Sequence, residues 1–456
     1  QIKNLNMKGN LTVILRKCNL FRVCIGYISL SAFYCLFATN VLAKESLKID
    51  LSTELRQGNF LIGLKQYLGG KNDTFSKENT IGFSNEDGLL RLQSSNGIKY
   101  KSKKINIIWK EKPLKTPYTI QRLVFGPYSS YESAKKQAIN LKEKGFKTTV
   151  TYPKNWEVWI PFDNNLSRDE YEYKIFTKTF KTQITPFLKS RNTFHELEGP
   201  IYISAREELK VNNINYGNKF FLVKDSYGTW TLIQKIKFDD YLEGVLPHEI
   251  GINSPLEALK SQAVIARTWG IYNSERFSMD KYHLCITTQC QVYKPTNVKN
   301  ERIQKAVKDT SNIIITYGNQ PINSFYHGSN GGISAKASES WQIDDEPYLN
   351  SIIDGSSSLK KSIKNSIRNK SELKNFLEFD KKDFYGSNHS LFRWNKKISS
   401  KIILDNLMKK KLIDTSDQVL KINVVERGLS GRVTKLEIKL KSSDQSIFLF
   451  KDDIRR

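Results

Sequence analysis

Glu249 has the residue type and the position to act on a substrate as an acid or a base. It lies in the run Pro247-His248-Glu249-Ile250-Gly251, where the proline disfavours continuation of a preceding helix. We expect this run to form an elbow that aims the carboxyl group, as general acid and base catalysis requires. Taken alone, a single glutamate is more often an ordinary surface acid.

Two helices are predicted on either side of this elbow. Capping-box spacings begin at Asp240 and at Ser254, and such a box satisfies the first backbone N–H groups of a helix. The first spacing predicts a short helix over residues 241–246, ended by Pro247. The second predicts a longer helix over residues 255–277.

Lys260 and Arg267 are seven residues apart on the longer predicted helix, so we expect them on one stripe of its surface. Apolar and small residues form the neighbouring face that would pack on the protein. A solvated or salt-bridged face is the ordinary explanation for such a basic pair.

Three soft metal ligands, His283, Cys285 and Cys290, fall within eight residues. A structural zinc ion needs four ligands, and Gln289 stands where a further histidine would help. The alternatives are a local disulfide, which export from the cytoplasm favours, and two reduced thiols. The sequence leaves all three open.

A hairpin is predicted over residues 313–326, with Gly318-Asn319 as its two-residue turn. It leads into His327-Gly328-Ser329-Asn330-Gly331-Gly332, a loop of small hydrogen-bonding residues that could approach a sugar chain closely. By itself such a loop is usually only a turn.

The first 43 residues predict an export segment. Cations between residues 8 and 22 precede an apolar stretch, and Val41-Leu42-Ala43 offers a cleavage site. An uncleaved membrane anchor is the alternative, because the apolar run is long enough to span a bilayer. In either case we expect the rest of the chain in the periplasm or the cell envelope, touching the membrane only if the segment stays.

The formal net charge of +26 does not predict a nucleic-acid-binding protein. The chain is expected to be exported, its cations are dispersed, and it has no nucleic-acid-binding motif. A basic protein of the cell wall would instead be attracted to anionic envelope polymers.

Strand and turn patterns predict an α+β protein with a small β region over residues 44–115. Residues 116–163 follow as a strand, a helix and two more strands, and this βαββ order with an alanine-spaced helix resembles a SPOR domain. SPOR domains bind glycan strands stripped of peptides. An unrelated small α/β insert is the alternative. A core over residues 195–456 completes the organisation, with the two-helix elbow packed on antiparallel strands.

Five blocks of sequence in this core resemble the signature blocks of the SpoIID/LytB family, in the family's order. They are DYLEGVLPHEI from residue 240, SPLEALKSQAVIARTWGIY from 254, TTQCQVY from 287, FYHGSNGG from 325 and VVERGLSGRVTKLEI from 424. Several long blocks in register are far more specific than one short motif.

The resemblance implies a peptidoglycan lytic transglycosylase that cleaves between N-acetylmuramic acid and N-acetylglucosamine, with Glu249 as the catalytic acid. One carboxyl group suffices, because it can protonate the glycosidic oxygen and then accept the proton of the C6 hydroxyl, closing a 1,6-anhydro ring. No water attacks, so the second carboxylate of ordinary glycosidases is unnecessary. Burial would have to raise the pKa of such an acid.

The resemblance also implies partners and further site residues. Peptidoglycan is the expected ligand, and some family members hold a structural zinc near the cysteine pair. Positions matching the family's motifs would bind substrate: Lys260, Gln262, Arg267, Ser329 and Asn330. LytB-type relatives are described as enhancers of a wall amidase, which would leave Glu249 a structural residue. A purely structural glycan binder is the third possibility.

Overall fold

The computed structural model describes residues 49–70, 79–162, 166–167, 170–295, 300–363, 366–410, 412–413, 417–442 and 445–455. The predicted export segment lies outside these residues. Within the described ranges, no helix is long and apolar enough to cross a membrane.

The chain forms two compact units, each assembled from two separate stretches. The first unit combines residues up to Pro117 with Phe180–Phe325, and the second combines Tyr118–Thr179 with Tyr326–Arg456. Strands β5 (Lys104–Tyr128) and β8 (Lys174–Ser190) run from one stretch into the next. The stretch 195–456, predicted as one core, is therefore divided between the units.

The first unit is built mainly from strands. Its helices are α1 (Leu51–Arg56), α3 (Phe238–Glu249), α4 (Leu256–Tyr272) and α5 (Glu301–Asp309). Its strands, besides parts of β5 and β8, are β1 (Asn59–Leu68), β2 (Thr80–Ser84), β3 (Leu90–Ser94), β4 (Lys99–Ser102), β9 (Thr193–Glu196), β10 (Ile201–Ser204), β11 (Leu209–Val211), β12 (Ile214–Tyr216), β13 (Lys219–Lys224), β14 (Trp230–Lys237), β15 (Leu284–Cys285), β16 (Thr316–Tyr317) and β17 (Gln320–Pro321).

A seven-stranded sheet in the order β15-β1-β14-β13-β10-β3-β4 organises the first unit. Strand β1 is buried on both faces: the Phe60 ring lies 5.1 Å from that of Tyr241 in α3, whereas Gly63 lies against Tyr282. The predicted N-terminal β region is thus not separate, because β1 pairs with β14 from Asn59 to Leu68. Non-local pairing of this kind leaves no local signal in the sequence.

The second unit contains the predicted βαββ segment. Strand β5 leads into α2 (Tyr131–Glu143), β6 (Thr149–Thr151) and β7 (Trp156–Pro161). With β8 these strands lie in the order β8-β5-β7-β6, and α2 buries its alanine-spaced face. The predicted sequence of elements is confirmed, and the identity of the segment as a SPOR domain stays a prediction.

The rest of the second unit consists of short helices and a three-stranded antiparallel sheet. The helices are α6 (Ala337–Ser340), α7 (Ser357–Ser362), α8 (Lys370–Glu378), α9 (Ser400–Lys409) and α10 (Asp452–Arg455), and the strands are β18 (Val419–Arg427), β19 (Val433–Leu440) and β20 (Ser446–Phe450). Asp452 accepts hydrogen bonds from Ser130 at 2.6 Å and Ser133 at 2.8 Å. These bonds fasten the start of α2 to the end of the chain.

The mixed helices and sheets confirm the predicted α+β class, but the elbow is placed wrongly. Helix α3 begins at Phe238 and continues through Pro247 to Glu249, and α4 ends at Tyr272. Proline inside a helix costs about 3 kcal/mol, whereas each fully buried large apolar side chain stabilises by about 1.5–3 kcal/mol. The buried face of α3, with Leu242, Val245 and Leu246, therefore outweighs the proline near its end.

Candidate active site

Glu249 is the last residue of α3 and is partly exposed. Its Oε1 accepts a hydrogen bond from the backbone N–H of Val292 at 2.8 Å. No described residue donates to Oε2. One oxygen is therefore held by backbone, and the other is available for proton transfer.

The backbone that holds Glu249 approaches α3 very closely. A Cβ on Gly244 would lie 2.5 Å from the Tyr293 ring and 2.6 Å from the Lys294 carbonyl oxygen. Lys294 N–H donates to the Gly244 carbonyl at 3.2 Å. Only glycine permits this approach, which brings Val292 within reach of the carboxyl group.

Buried tyrosine contacts fasten the same segment to the core. The rings of Tyr241 and Tyr293 stack with centroids 5.3 Å apart, and the Tyr241 hydroxyl donates to Gln291 Oε1 at 3.2 Å. Gln291 in turn donates to the Ala266 carbonyl in α4 at 3.3 Å. Burial raises the pKa of Tyr293 well above its usual value. The Tyr293 phenol is therefore a neutral packing group under physiological conditions.

His248, the residue before Glu249, is affected by two neighbouring charges. Loss of hydration lowers the pKa of His248, the charge of Lys294 lowers it further, and the Glu249 carboxylate partly opposes both effects. His248 is therefore mainly neutral at neutral pH, because an unperturbed imidazole has a pKa near 6.5.

Arg267 is a buried structural residue, with 1% of its surface exposed. Its Nη1 donates to the carbonyls of Thr310 at 2.8 Å and Ile313 at 3.2 Å, and its Nη2 donates to Asp239 Oδ1 at 3.1 Å. Burial lowers its pKa and the Asp239 carboxylate opposes this. Arg267 therefore fits the salt-bridged alternative and not a solvated face, because α5 and the start of α3 cover this part of α4.

Lys260 remains partly exposed and makes two ion pairs. Its Nζ lies 3.0 Å from Glu257 Oε1 and 3.2 Å from Asp309 Oδ2. The salt-bridged explanation weighed for the pair thus describes Lys260 as it stands in the structure. Contact of Lys260 or Arg267 with substrate stays a prediction.

Gln262 lies on α4 with 8% of its surface exposed. Its Nε2 is buried and has no hydrogen-bond partner among the described residues. An unpaired buried amide donor costs about 1–3 kcal/mol. Such a donor is compatible with the predicted role in substrate binding, which stays untested.

His283 does not join Cys285 and Cys290 in a metal site. Its Nδ1 accepts from the Leu61 N–H at 2.9 Å, and its Nε2 lies 3.0 Å from the Leu51 carbonyl oxygen. Both ring nitrogens are thus engaged with backbone. Among the described residues, no three His, Cys, Asp or Glu side chains are grouped to hold a metal. These residues do not fit the predicted zinc site.

The two cysteines lie together as free thiols. Cys285 N–H donates to Cys290 Sγ at 2.9 Å, and Cys285 Sγ lies 3.3 Å from Thr287 Oγ1. Burial raises the pKa of Cys290 above its usual value, whereas hydrogen bonds to the Cys285 sulfur, against the effect of burial, lower its pKa. One thiol of the pair therefore ionises before the other.

The predicted glycine-rich loop belongs to the second unit and is internally braced. Asn330 Nδ2 donates to Asp354 Oδ2 at 2.8 Å, and its Oδ1 accepts from Gly332 N–H at 2.8 Å. Gly331 N–H points to Ser329 Oγ at 3.4 Å. Substrate contact by Ser329 and Asn330 stays a prediction.

The Gly318-Asn319 turn is confirmed as a two-residue turn between β16 and β17. Both turn residues have positive φ, at 54° and 65°, as the favoured hairpin turn requires. The strands are only two residues each, shorter than the hairpin predicted over 313–326.

Sequence reasoning missed the groups that position Glu249. The Val292 donor is a backbone group, which a sequence pattern cannot identify. Gly244 and Tyr293 both lie inside the motif blocks. The pairing of a residue without a side chain and a large aromatic residue is the only sequence signal that the segment with Val292 packs closely against α3.

Comparisons with known proteins agree with the motif blocks. A family model described as stage II sporulation protein matches residues 226–317. A second family model, described as a domain of unknown function, matches residues 335–456.

Three relatives match parts of the chain. An uncharacterized protein of Brachyspira hyodysenteriae is 30% identical over 33% of the chain and 41% of its own length. The amidase enhancer of Bacillus subtilis is 37% identical over 24% of the chain and 14% of its own length. Stage II sporulation protein D of Bacillus subtilis is 30% identical over 26% of the chain and 39% of its own length. The chain thus spans less than half the length of each.

The family match includes α3, α4 and the segment that holds Glu249. Two of the named relatives carry the two names associated with the motif blocks. Residues 226–317 of the chain therefore form a domain of the stage II sporulation protein family.

Proposed function

We propose that the chain is a peptidoglycan lytic transglycosylase in which Glu249 is both the acid and the base. The observation that carries the proposal is the asymmetry of the carboxyl group: Oε1 is held by Val292 N–H at 2.8 Å, and no described residue donates to Oε2. A carboxyl group aimed by one oxygen can transfer a proton through the other.

The reaction needs only this group. Protonated Glu249 gives its proton to the glycosidic oxygen as the bond to the muramic acid C1 breaks. The resulting carboxylate accepts the proton of the C6 hydroxyl, whose oxygen bonds to C1 and closes the 1,6-anhydro ring. The proton balance is zero, and no water enters. A second carboxylate of the kind ordinary glycosidases use is not required.

The placement of the chain in the envelope belongs to this proposal. Residues 1–43 have the pattern of an export segment, and the family domain resembles stage II sporulation protein D. In the envelope the chain would have access to the glycan strands of the wall.

The βαββ segment is proposed as an additional glycan-binding module. Its strands lie in the order β8-β5-β7-β6. On the face of this sheet opposite α2, the Arg122 guanidinium lies 3.4 Å from the Trp159 ring centroid, and we propose that this face binds glycan. Because Asp452, outside the segment, accepts hydrogen bonds from the Ser130 and Ser133 hydroxyls at the start of α2, binding is best tested in the full chain. Arg122→Gln should weaken binding to stripped glycan more than to intact wall, and unchanged binding would make the segment a spacer.

Activation of a wall amidase is the second candidate function. It is favoured by the 37% identity to a protein named amidase enhancer. In that case the chain would bind peptidoglycan and an amidase, and Glu249 would only support the fold.

Product analysis separates the two functions. Stripped sacculi are digested with the mature chain alone, and intact sacculi with a wall amidase in its presence and absence. We expect 1,6-anhydro ends from the chain alone. Products with ordinary reducing ends would exclude a transglycosylase. Release of peptides accelerated by the chain, without glycan cleavage, would establish the enhancer.

A further inference from the structure

A cavity in the second unit gathers three arginines. It has a volume of about 260 Å³, and its lining includes Arg393, Arg427 and Arg432 together with Asn330, Phe376 and Trp394. No lining residue is acidic. The cavity is smaller than the roughly 300–1,000 Å³ of drug-sized sites, so it suits one small group of a larger ligand.

The guanidinium groups are held in place by backbone carbonyls. Arg432 donates to Ile333 O at 3.0 Å and Asn330 O at 2.8 Å. Arg427 donates to Gly431 O at 2.7 Å. Arg427 makes no other hydrogen bond to the part of the chain that the structure describes.

Arg393 is held by the glycine-rich loop and by aromatic rings. Its Nη1 donates to Gly331 O and, at 3.0 Å, to Phe392 O. Its guanidinium carbon lies 4.3 Å from the Phe392 ring centroid and 5.3 Å from that of Phe376. Its Nε is buried without a hydrogen-bond partner among the described residues. A cation in this position is packed but not neutralised.

The nearby carboxylates are already engaged. Asp354 accepts from Asn330. Glu339 accepts from Leu429 N–H at 2.5 Å and from Ser430, and it acts on Arg432 only through space. No ion pair joins a described acid to any of the three arginines. Arg393 and Arg427 thus have no described carboxylate as a partner, and an anion entering the cavity would supply one.

We propose that this cavity binds one anionic group, a carboxylate or a phosphate, carried by an envelope polymer. The planar fork of arginine matches both groups and can bind either through two parallel hydrogen bonds. Trp394, with 71% of its surface exposed, stands at the rim and offers a flat apolar face to a sugar ring. The choice of a wall polymer rests on the proposed function; the choice of an anion rests on the arginines.

Binding is measured with the full mature chain carrying Glu249→Gln, so that no polymer is cut. The probes are soluble stripped glycan with free lactyl carboxylates, the same glycan with these groups converted to amides, and poly(glycerol phosphate). Arg427→Gln should weaken binding to the anionic probes about ten-fold, as expected for a charged hydrogen bond. Arg368→Gln is the matched control, since Arg368 is exposed, lies outside the cavity and loses the same charge.

Each result decides the matter. Binding to stripped glycan that amidation abolishes identifies a carboxylate ligand, and binding to poly(glycerol phosphate) alone identifies a phosphate ligand. Equal affinity for charged and amidated glycan, without binding to the phosphate polymer, overturns the proposal. So does equal weakening by Arg427→Gln and Arg368→Gln.

Two further variants guard against misfolding. Arg427→Lys keeps the charge and should recover part of the affinity, and Trp394→Ala removes an exposed ring that does not support the core. If anion binding depends on Arg427 while the unmodified chain produces no anhydro ends, the inference stands and the transglycosylase proposal fails.

Discussion

Arginine has two different environments in the two units. In the first unit, Arg267 is 1% exposed, faces the Asp239 carboxylate at 3.1 Å and satisfies backbone carbonyls at the end of α5. In the second unit, Arg393 and Arg427 also meet carbonyls, but no described carboxylate pairs with them. The ion pair with Asp239 indicates that Arg267 is a structural residue. Arg393 and Arg427 have no such partner among the described residues, so their positive charges are available to bind a ligand.

The largest effect is expected from Arg267→Ala. It removes one half of a buried ion pair and leaves carbonyls of α5 and its following loop without a donor. Because Asp239 keeps 40% of its side chain exposed, we expect the lower end of the usual cost, about 3 kcal/mol in the free energy of unfolding. Urea denaturation measures it.

The effect of Arg427→Gln on the free energy of unfolding is compared with that of Arg267→Ala. Arg427→Gln should lower the free energy of unfolding much less, because one hydrogen bond to Gly431 is lost, worth about 1 kcal/mol. If both substitutions cost the same, the contrast between the two environments is wrong.

Gly244→Ala should have the next largest effect. Alanine normally favours a helix over glycine by about 1 kcal/mol, but here its Cβ would overlap Tyr293 and Lys294. We expect a net loss of about 1–3 kcal/mol and a fall in turnover, because Val292 would move away from Glu249. Gly88→Ala is the control, since nothing lies within 4 Å of its added Cβ. A stable, fully active Gly244→Ala protein would refute the positioning argument.

Lys260→Ala should leave the melting temperature nearly unchanged, because exposed ion pairs contribute little to stability. Thermal melting measures the change in stability, and steady-state kinetics on stripped glycan measure kcat and KM. A raised KM at unchanged melting temperature would support the substrate contact that the family resemblance implies. A marked fall in melting temperature would show that the ion pairs with Glu257 and Asp309 support the fold.

The smallest effect is expected from chelation. Because both nitrogens of His283 face backbone groups, a chelator should leave the melting temperature unchanged, and Cys285 and Cys290 should titrate as two thiols. About one zinc per mature chain, with chelator-sensitive melting, would contradict this and restore the metal site. Absence of free thiols would indicate the disulfide.

Local signals in the sequence predicted local structure well. The alanine-spaced helix α2, its neighbouring strands and the Gly318-Asn319 turn depend on residues close together in the chain, and the structure has them. Glu249 was identified from its block, but the structure places it in the last position of α3 and not on the predicted elbow between helices.

Long-range contacts decided what could not be predicted. The burial of Arg267 depends on Asp239 and Thr310, and the engagement of His283 depends on Leu61, 222 residues away. Pro247 was expected to end α3, but packing of the buried face stabilises the helix through Pro247 to Glu249. The arginine cavity assembles residues 330–432, which no single motif contains.

The central claim is that Glu249 performs the chemistry, and one comparison tests it most directly. Release of 1,6-anhydromuramyl products from stripped glycan is followed by mass spectrometry for the mature chain, for Glu249→Gln and for Glu243→Gln, a partly buried acid on the same helix. The account predicts that Glu249→Gln abolishes release while melting and glycan binding stay unchanged, and that Glu243→Gln keeps most of the activity. Undiminished release by a folded Glu249→Gln protein would contradict it.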